Sequence, residues 1–278
     1  MNRLTLLLVL LFSLSSTGII AQVTIAPTNI FISDNSKFGT YMVINGSNEP
    51  QEVAIEFFFG YSTTDKEGNR TNIIGDSLMT AARSITQNVR AFPQNFVLAP
   101  NQRQIVRLRI TGSTRELKEG TYWSRIKTSS NPETQQVEVG NAGNDVSARV
   151  SIKIEQVTGL FYKVGKTTTG IEVQEIRTNL GEDNRLTVLT DYRRTGNSPF
   201  LGSISTTLID SNNQEVKQAF VSTSIYFDGT NRQFLDLNDL PKGEYKIKVQ
   251  FESQRGDVSS SDIVQMKTVT KTIPYAIR

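Results

Sequence analysis

The chain offers few residues of the kinds that enzymes use for chemistry. Its 278 residues include no histidine and no cysteine. The missing histidine removes Ser-His-Asp and Cys-His catalysis, histidine acid–base chemistry and the commonest zinc ligand. Carboxylate or lysine chemistry is what remains.

Two groups of carboxylates could act as a glycosidase-like pair. Glu182 adjoins Asp183, and Asp236 is close to Asp239 in the sequence. Such spacings are also common in polar loops. Residues 210–215 loosely resemble a calcium loop, but they lack the central glycine and the later glutamate of an EF-hand, so a hairpin turn is the better interpretation. We therefore expect that the protein is not an enzyme and that it holds no metal and no cofactor.

The N-terminus has the three parts of a secretory signal. Arg3 supplies a positive charge, residues 5–14 are almost entirely apolar, and residues 15–21 are small and mildly polar. The apolar run is shorter than the roughly 20 residues of a membrane-spanning helix. No cysteine is present to carry a lipid anchor. We expect export and cleavage after Ala21, with a retained N-terminal anchor as the alternative.

Charge and cysteine content narrow the class of protein further. The net charge of +3 at pH 7 does not require nucleic acid or an anionic membrane as a partner. An exported protein without cysteine cannot be stabilised by disulfides, so each domain must depend on its apolar core.

The elements that would position any site are strands. Short β-branched and aromatic segments, separated by turn-forming residues, follow one another along the chain. We predict a first series at residues 23–33, 40–45, 52–61, 84–92, 104–111, 122–128 and 146–157. A second series is predicted at residues 170–177, 185–193, 204–209, 220–226, 233–237, 245–252 and 264–273. Seven strands are typical of one immunoglobulin-like sandwich. The predicted fold is all-β, with two such sandwiches in tandem at residues 22–158 and 159–278.

An internal repeat supports this division. Residues 117–122 and residues 240–245 both read Leu-x-x-Gly-x-Tyr, and each enters a late strand. This pattern is typical of a tyrosine corner, in which a phenolic hydroxyl bonds to the backbone upstream. Tyr122 and Tyr245 are the predicted corner residues.

Two other segments carry a pattern of their own. Residues 77–85 have apolar side chains at helical spacing after the possible caps Asp76 and Ser77, so a short helix is predicted. In the strand at residues 104–111, apolar positions alternate with Arg107 and Arg109. The basic face is either solvated or a docking surface for an acidic partner.

The segment from residue 146 to residue 157 alternates without fault. One face is apolar and consists of Val146, Ala148, Val150, Ile152 and Ile154. The simplest interpretation is the last strand of a sandwich, with its apolar side in the core. A strand of this length could also extend beyond the neighbouring strands of its sheet. It would then present an unpaired edge and an apolar row to another chain.

Several motifs resemble those of the periplasmic pilus assembly chaperones. Residues 159–163, Gly-Leu-Phe-Tyr-Lys, are similar to the Leu-Phe-Tyr-Arg segment of that family. Residues 93–100 with Val-Arg-Leu at 106–108 resemble its "Pro … Leu-x-Pro … Val-Arg-Leu" stretch, and residues 120–123 resemble the start of its sixth strand. The resemblance covers roughly residues 23–163 and implies a divergent member with two sandwiches, the first of which lends its last strand to an incomplete pilin subunit.

The resemblance also places the binding residues. The family's alternating donor residues fall on Val150, Ile152 and Ile154. The family's two basic anchors, which hold the terminal carboxylate of the subunit, fall on Thr28 or Asn29 and on Gly159.

None of these three anchor positions can form a charge-assisted bond to a carboxylate. We therefore expect client binding to depend only weakly on the client's free C-terminus, unless another cation such as Lys163 or Lys166 replaces the anchors.

The resulting functional prediction is a periplasmic chaperone-like protein. Its expected partner is a protein client with an incomplete β-sandwich, and the resemblance implies an outer-membrane usher as a second partner. The alternative is a structural or adhesive envelope protein that uses immunoglobulin-like domains as building blocks.

Overall fold

The computed structural model describes residues 23–114, 116–132 and 152–278. The predicted signal segment and three residues of the predicted donor row, Val146, Ala148 and Val150, lie outside these ranges. Within them, no helix has the length and apolar character needed to cross a membrane.

The first half of the chain forms a sandwich of two packed sheets. Its strands are β1 (Val23–Ala26), β2 (Asn29–Ser33), β3 (Phe38–Asn45), β4 (Gln51–Phe58), β5 (Gly60–Thr64), β6 (Arg70–Ile74), β7 (Val89–Phe92), β8 (Asn95–Leu98), β9 (Arg103–Ile110), β10 (Gly120–Pro132) and β11 (Ile154–Val164). One sheet has the order β1-β3-β9-β7 and the other β2-β11-β10-β4-β8, while β5 and β6 form a separate hairpin. Alternate residues of both sheets, among them Tyr41, Leu108 and Leu160, share one buried core.

The second half forms a smaller sandwich. Its strands are β12 (Thr169–Leu180), β13 (Arg185–Gly196), β14 (Phe200–Ile209), β15 (Glu215–Ile225), β16 (Gly229–Asp236), β17 (Gly243–Glu252) and β18 (Val269–Ile277). A sheet ordered β12-β13-β16 faces one ordered β15-β14-β17-β18 around a second core. The prediction of two all-β, immunoglobulin-like sandwiches is confirmed.

The first predicted strand, at residues 23–33, is interrupted at Pro27. β1 joins the four-stranded sheet beside β3, whereas β2 joins the five-stranded sheet beside β11. Proline has no N–H for a sheet ladder and restricts its own φ, so the chain changes sheets there.

The predicted domain boundary between residues 158 and 159 falls inside β11. This strand pairs with β10 without interruption from Ile154 to Val164. Leu160 and Tyr162 are fully buried in the first core. The Gly-Leu-Phe-Tyr-Lys segment therefore ends the first sandwich, and we propose that the boundary lies between β11 and β12.

One helix, α1 (Ser77–Arg83), lies near the predicted position. A carboxylate oxygen of Asp76 accepts a hydrogen bond from the Met79 backbone N–H at 3.0 Å, which caps its N-terminus. The other carboxylate oxygen accepts one from the Tyr61 hydroxyl at 2.6 Å. Met79 packs against an aromatic cluster between the sandwiches. This interdomain cluster consists of Phe59, Tyr61, Trp123, Phe161, Leu201, Tyr226 and Ile263.

The β5–β6 hairpin makes a second connection between the sandwiches. The Thr64 hydroxyl accepts a hydrogen bond from the Thr230 backbone N–H at 3.0 Å. At the hairpin tip, the Arg177 guanidinium donates to the Lys66 carbonyl at 3.0 Å. Polar contacts on one side and the interdomain cluster on the other restrict the angle between the sandwiches.

Each predicted corner tyrosine bonds to the backbone four residues upstream. The Tyr122 hydroxyl donates to the Lys118 carbonyl at 3.1 Å, and the Tyr245 hydroxyl donates to the Pro241 carbonyl at 2.8 Å. Both side chains are buried. Each bond therefore ties the turn before a late strand to that strand.

Removing either corner hydroxyl should destabilise its own sandwich. Tyr122→Phe and Tyr245→Phe should each lower the free energy of unfolding by about 0.5–1.5 kcal/mol, because each loses a partly buried hydrogen bond. The two effects should nearly add in the double variant, since the sites are in different domains. Chemical denaturation measures all three values.

Tyr275→Phe is a matched control for the two corner variants. Tyr275 lies opposite Tyr245 in the β17–β18 pair, and its hydroxyl has no hydrogen-bond partner among the residues the structure describes. Unchanged unfolding midpoints in both corner variants would show that the two bonds contribute nothing.

Candidate functional site

The apolar row of the predicted donor strand continues the core-facing side of β11. Ile154, Leu160 and Tyr162 lie on the same face because strand side chains alternate. Leu160 and Tyr162 are fully buried, but Ile154 is only half-buried. Ile152, two residues before it, is 63% exposed. Ile152 and Ile154, the two described residues of the row, therefore extend from the sandwich core towards solvent.

The core itself ends between these two groups of residues. Gln156 occupies the same face, and its side-chain amide donates to the Val23 carbonyl at 2.7 Å. Thr158 is buried one step further in. These polar side chains close the core, so Ile154 and Ile152 are not needed to fill it.

The backbone of β11 has an open edge along the same stretch. β10 pairs with the whole of β11 on one side. On the other side, β2 pairs in parallel only with residues 159–163. In the described part of the chain, no strand covers residues 154–158 on that side. An unpaired edge of this kind can accept another strand.

The opposite face of this stretch is charged. Lys153 lies 2.8 Å from Glu155, and Lys127 of β10 lies 2.6 Å from Glu56 of β4. A hydrogen bond from Lys153 lowers the pKa of Glu155, and one to Glu56 raises the pKa of Lys127. Both groups therefore remain charged near neutral pH, and this face stays solvated while the apolar row faces the other way.

The positions that the resemblance assigns to the anchors, Thr28 or Asn29 and Gly159, adjoin each other in the sheet, where the Gly159 N–H donates to the Thr28 carbonyl at 3.0 Å. Gly159 of β11 pairs directly with Asn29 of β2. A Cβ on Gly159 would lie 2.7 Å from the Asn29 side-chain oxygen, so a larger residue does not fit without a shift. Asp257 lies 3.5 Å from the Asn29 amide, but its charge is paired with Arg255 at 2.6 Å. The hydrogen bonds from Arg255 lower the pKa of Asp257.

A cation that the sequence did not indicate lies beside these positions. Arg125 of β10 is the direct cross-strand partner of Gly159. Its guanidinium donates to the Gly60 carbonyl at 3.1 Å and to the Tyr226 hydroxyl at 3.0 Å. It also lies 5.4 Å from the centre of the Tyr226 ring. The residues Arg125, Gly159 and Asn29 thus form one row across three strands.

The charge of Arg125 is not neutralised by these contacts. Burial raises the pKa of Tyr226, so the phenol stays neutral. Among the residues the structure describes, Arg125 forms no ion pair. A half-buried guanidinium without an acidic partner is suited to bind a carboxylate.

The two lysines named from the sequence are placed differently. Lys163 donates to the Asp262 carbonyl at 3.0 Å and lies 5.7 Å from the centre of the Phe31 ring. Partial burial lowers its pKa. Lys166 is exposed beyond the end of β11. Neither lies in the row of Arg125 and Gly159.

Most of the carboxylates considered for catalysis or calcium binding accept hydrogen bonds within turns or form surface ion pairs. Asp210 accepts hydrogen bonds from the backbone of Asn212 and Gln214 within the β14–β15 hairpin. Asp236 accepts one from the backbone of Asn238. Asp239 lies 3.7 Å from Lys217. Residues 210–215 thus form the hairpin turn that was expected.

Comparison with protein-family models gives no match, and no curated protein sequence matches the chain. Several solved structures do. The chaperone DraB of E. coli is 15% identical, with 92% of this chain and 95% of that chain covered and a TM-score of 0.41. A Salmonella enterica structure of SafA pilin in complex with the SafB chaperone gives 11% identity, coverages of 91% and 97% and a TM-score of 0.41.

A third structure comes from Acinetobacter baumannii. It is the pre-assembly complex of the CsuC chaperone with the CsuE tip adhesion subunit, from archaic chaperone-usher Csu pili. The identity is 12%, 90% of this chain and 98% of that chain are covered, and the TM-score is 0.45. Each of these three structures aligns with about nine-tenths of this chain at low identity.

Proposed function

We propose that this protein is a periplasmic, chaperone-like protein that binds surface or pilus-type subunits by donating a β-strand. The observation that carries the proposal is the start of β11, where an apolar row continues past the sandwich core along an open strand edge. The client is a protein subunit with an incomplete β-sandwich. The donor row consists of Val146, Ala148, Val150, Ile152 and Ile154.

The backbone of β11 supports strand addition. Residues 154–158 are already held in an extended conformation by β10. A client strand that pairs with their free edge therefore gains main-chain hydrogen bonds with little further loss of entropy in the chaperone. The same pairing would cover an edge that otherwise invites aggregation.

The side chains supply the apolar part of the interaction. Ile152 is 63% exposed in the free protein, and Ile154 is half-buried. Full burial of an isoleucine side chain contributes about 1.5–3 kcal/mol. A client groove that accommodates alternate residues would bind this row in a single register. A shift by one residue would place Lys153 in the groove instead of an isoleucine.

Arg125 is our candidate for the anchor of the client's terminal carboxylate. It lies one strand away from the position that the resemblance assigns at Gly159, and it forms no ion pair with any residue that the structure describes. Tyr226, which belongs to the second sandwich, contacts the guanidinium and orients it. The second sandwich would thus position the anchor that the first sandwich carries.

Strand donation can be tested by co-expression with a strand-deficient subunit. The protein should co-purify from the periplasm with a subunit that lacks one sandwich strand. It should not co-purify with the same subunit after the missing strand has been fused to its own chain, because the groove is then filled. The two subunits differ only in that strand, so they form a matched pair.

Two outcomes would contradict the proposal. Equal recovery of both subunits would show that binding does not use the groove. Recovery of the protein as a stoichiometric part of an assembled surface fibre would favour the structural or adhesive role. The proposal also includes an outer-membrane usher, which would accept the complex of this protein with its subunit.

A further inference from the structure

In the first sandwich, the outer face of the sheet ordered β1-β3-β9-β7 is strongly basic. β9 directs Arg103, Arg107 and Arg109 outward, and β7 adds Arg90, all of them exposed. The strands of this sheet, β1, β3, β9 and β7, contain no aspartate and no glutamate. This arginine face belongs to the opposite sheet from β11, so it is separate from the donor edge.

The part of the chain that the structure describes supplies no acidic partner for the arginines of this face. In the described ranges, none of the four takes part in an ion pair. Arg90 donates only to backbone carbonyls, at Gln87 and Val89. Arg193 pairs with Glu172, whereas the exposed Arg70, Arg185 and Arg232 also form no ion pair in the described ranges. Among the described residues, no carboxylate offsets the charge of this face.

Two of the arginines are placed directly opposite each other. Arg90 of β7 pairs with Arg109 of β9 in the antiparallel register. Like charges at such positions destabilise a sheet. An anion bound between them would remove this repulsion, so the arrangement favours a ligand with negative charge.

Apolar side chains and a depression accompany the charge. Phe38 is 48% exposed and Phe92 is 55% exposed. Together with Lys37, Arg107 and Arg109 they line an open depression of about 660 Å³. Two aromatic rings thus flank two guanidinium groups in a concave surface.

We propose that the arginine face binds an acidic polypeptide segment in an extended conformation. Side chains two residues apart on a strand are about 7 Å apart, so Arg107 and Arg109 match carboxylates at every second position of an extended peptide. Arginine forms bidentate hydrogen bonds with carboxylates. The concave shape between Phe38 and Phe92 fits a peptide better than a flat lipid surface. This inference does not depend on strand donation.

A synthetic peptide that alternates glutamate with threonine is a suitable probe, with its glutamine–threonine counterpart as the neutral control. The acidic peptide should bind the full-length mature protein, and salt should weaken the binding because the charges are exposed. The double variant Arg107→Glu, Arg109→Glu should weaken binding by about tenfold or more. Fluorescence anisotropy measures these affinities.

Two further measurements sharpen the test. The double variant Lys242→Glu, Lys267→Glu makes the same change in net charge on exposed sites of the second sandwich and should bind the peptide like the unmodified protein. In the free protein, Arg109→Gln should preserve or raise the melting temperature, because it removes the repulsion with Arg90.

Equal weakening in both charge-reversal variants would overturn the proposal, since only net charge would then matter. So would equal binding of the acidic and neutral peptides. Binding to vesicles of anionic phospholipid, with no binding to the acidic peptide, would assign the face to a membrane instead.

Discussion

Replacing Ile152 with aspartate is expected to abolish the complex with a strand-deficient subunit while the protein stays folded. In the bound state the carboxylate would be buried in an apolar groove, and even its protonated form would leave a polar group without a partner. In the free protein Ile152 is 63% exposed, so the substitution creates no buried charge there. Co-purification and circular dichroism of the same variant measure the two properties.

Lys153→Glu is the matched control for this experiment. Lys153 is adjacent in sequence but lies on the charged face, where it pairs with Glu155 at 2.8 Å. Loss of an exposed ion pair costs at most about 1 kcal/mol. The control should therefore bind the subunit and keep its fold. Normal binding by Ile152→Asp would show that the apolar row does not enter the client, and unfolding would show that it belongs to the core.

Arg125→Gln is expected to weaken binding of a client with a free C-terminal carboxylate by about tenfold or more, since removal of one partner from a buried, hydrogen-bonded charge pair costs about 2–5 kcal/mol. A client whose C-terminus is amidated should bind the unmodified protein weakly and should lose little more with the variant. These four affinities form a double-mutant cycle, and a large coupling energy would identify the direct contact.

The cycle also separates anchoring from a structural role. Arg125 bonds to Tyr226 and to the Gly60 carbonyl, so its loss could loosen the contact between the sandwiches. A purely structural effect would weaken both clients equally and leave no coupling. Lys166→Gln, which removes an exposed cation, is the control and should change neither affinity.

The features that the sequence alone determined are local. In β9 the buried residues Val106 and Leu108 alternate with the exposed Arg107 and Arg109, as the pattern predicts. The corner bonds span only four residues, from Tyr122 to Lys118 and likewise at Tyr245. The cap of α1 spans three. The alternation of a strand and hydrogen bonds between residues close in sequence are determined by neighbouring residues. They can therefore be predicted without knowledge of the rest of the fold.

The assignment of segments to sheets was decided only by the tertiary structure. A single strand was predicted at residues 52–61, but β4 ends at Phe58, and Phe59 and Tyr61 join the interdomain cluster. Residues 159–163 were placed in the second domain, yet they complete the first sandwich. In each case a long-range partner overrides the local pattern, because burial against another element contributes more than strand propensity.

The anchor candidate shows the same limit at the proposed site. Arg125 and Gly159 are distant in sequence and become neighbours only through the register of β10 and β11. Nothing in the residues around Arg125 marks it as different from other strand arginines. Its guanidinium is held in place by Tyr226 from the other sandwich. It forms no ion pair with any residue in the described ranges. Strand register is a property of the whole sheet, and so the sequence could indicate a candidate donor row but not the cation beside its described end.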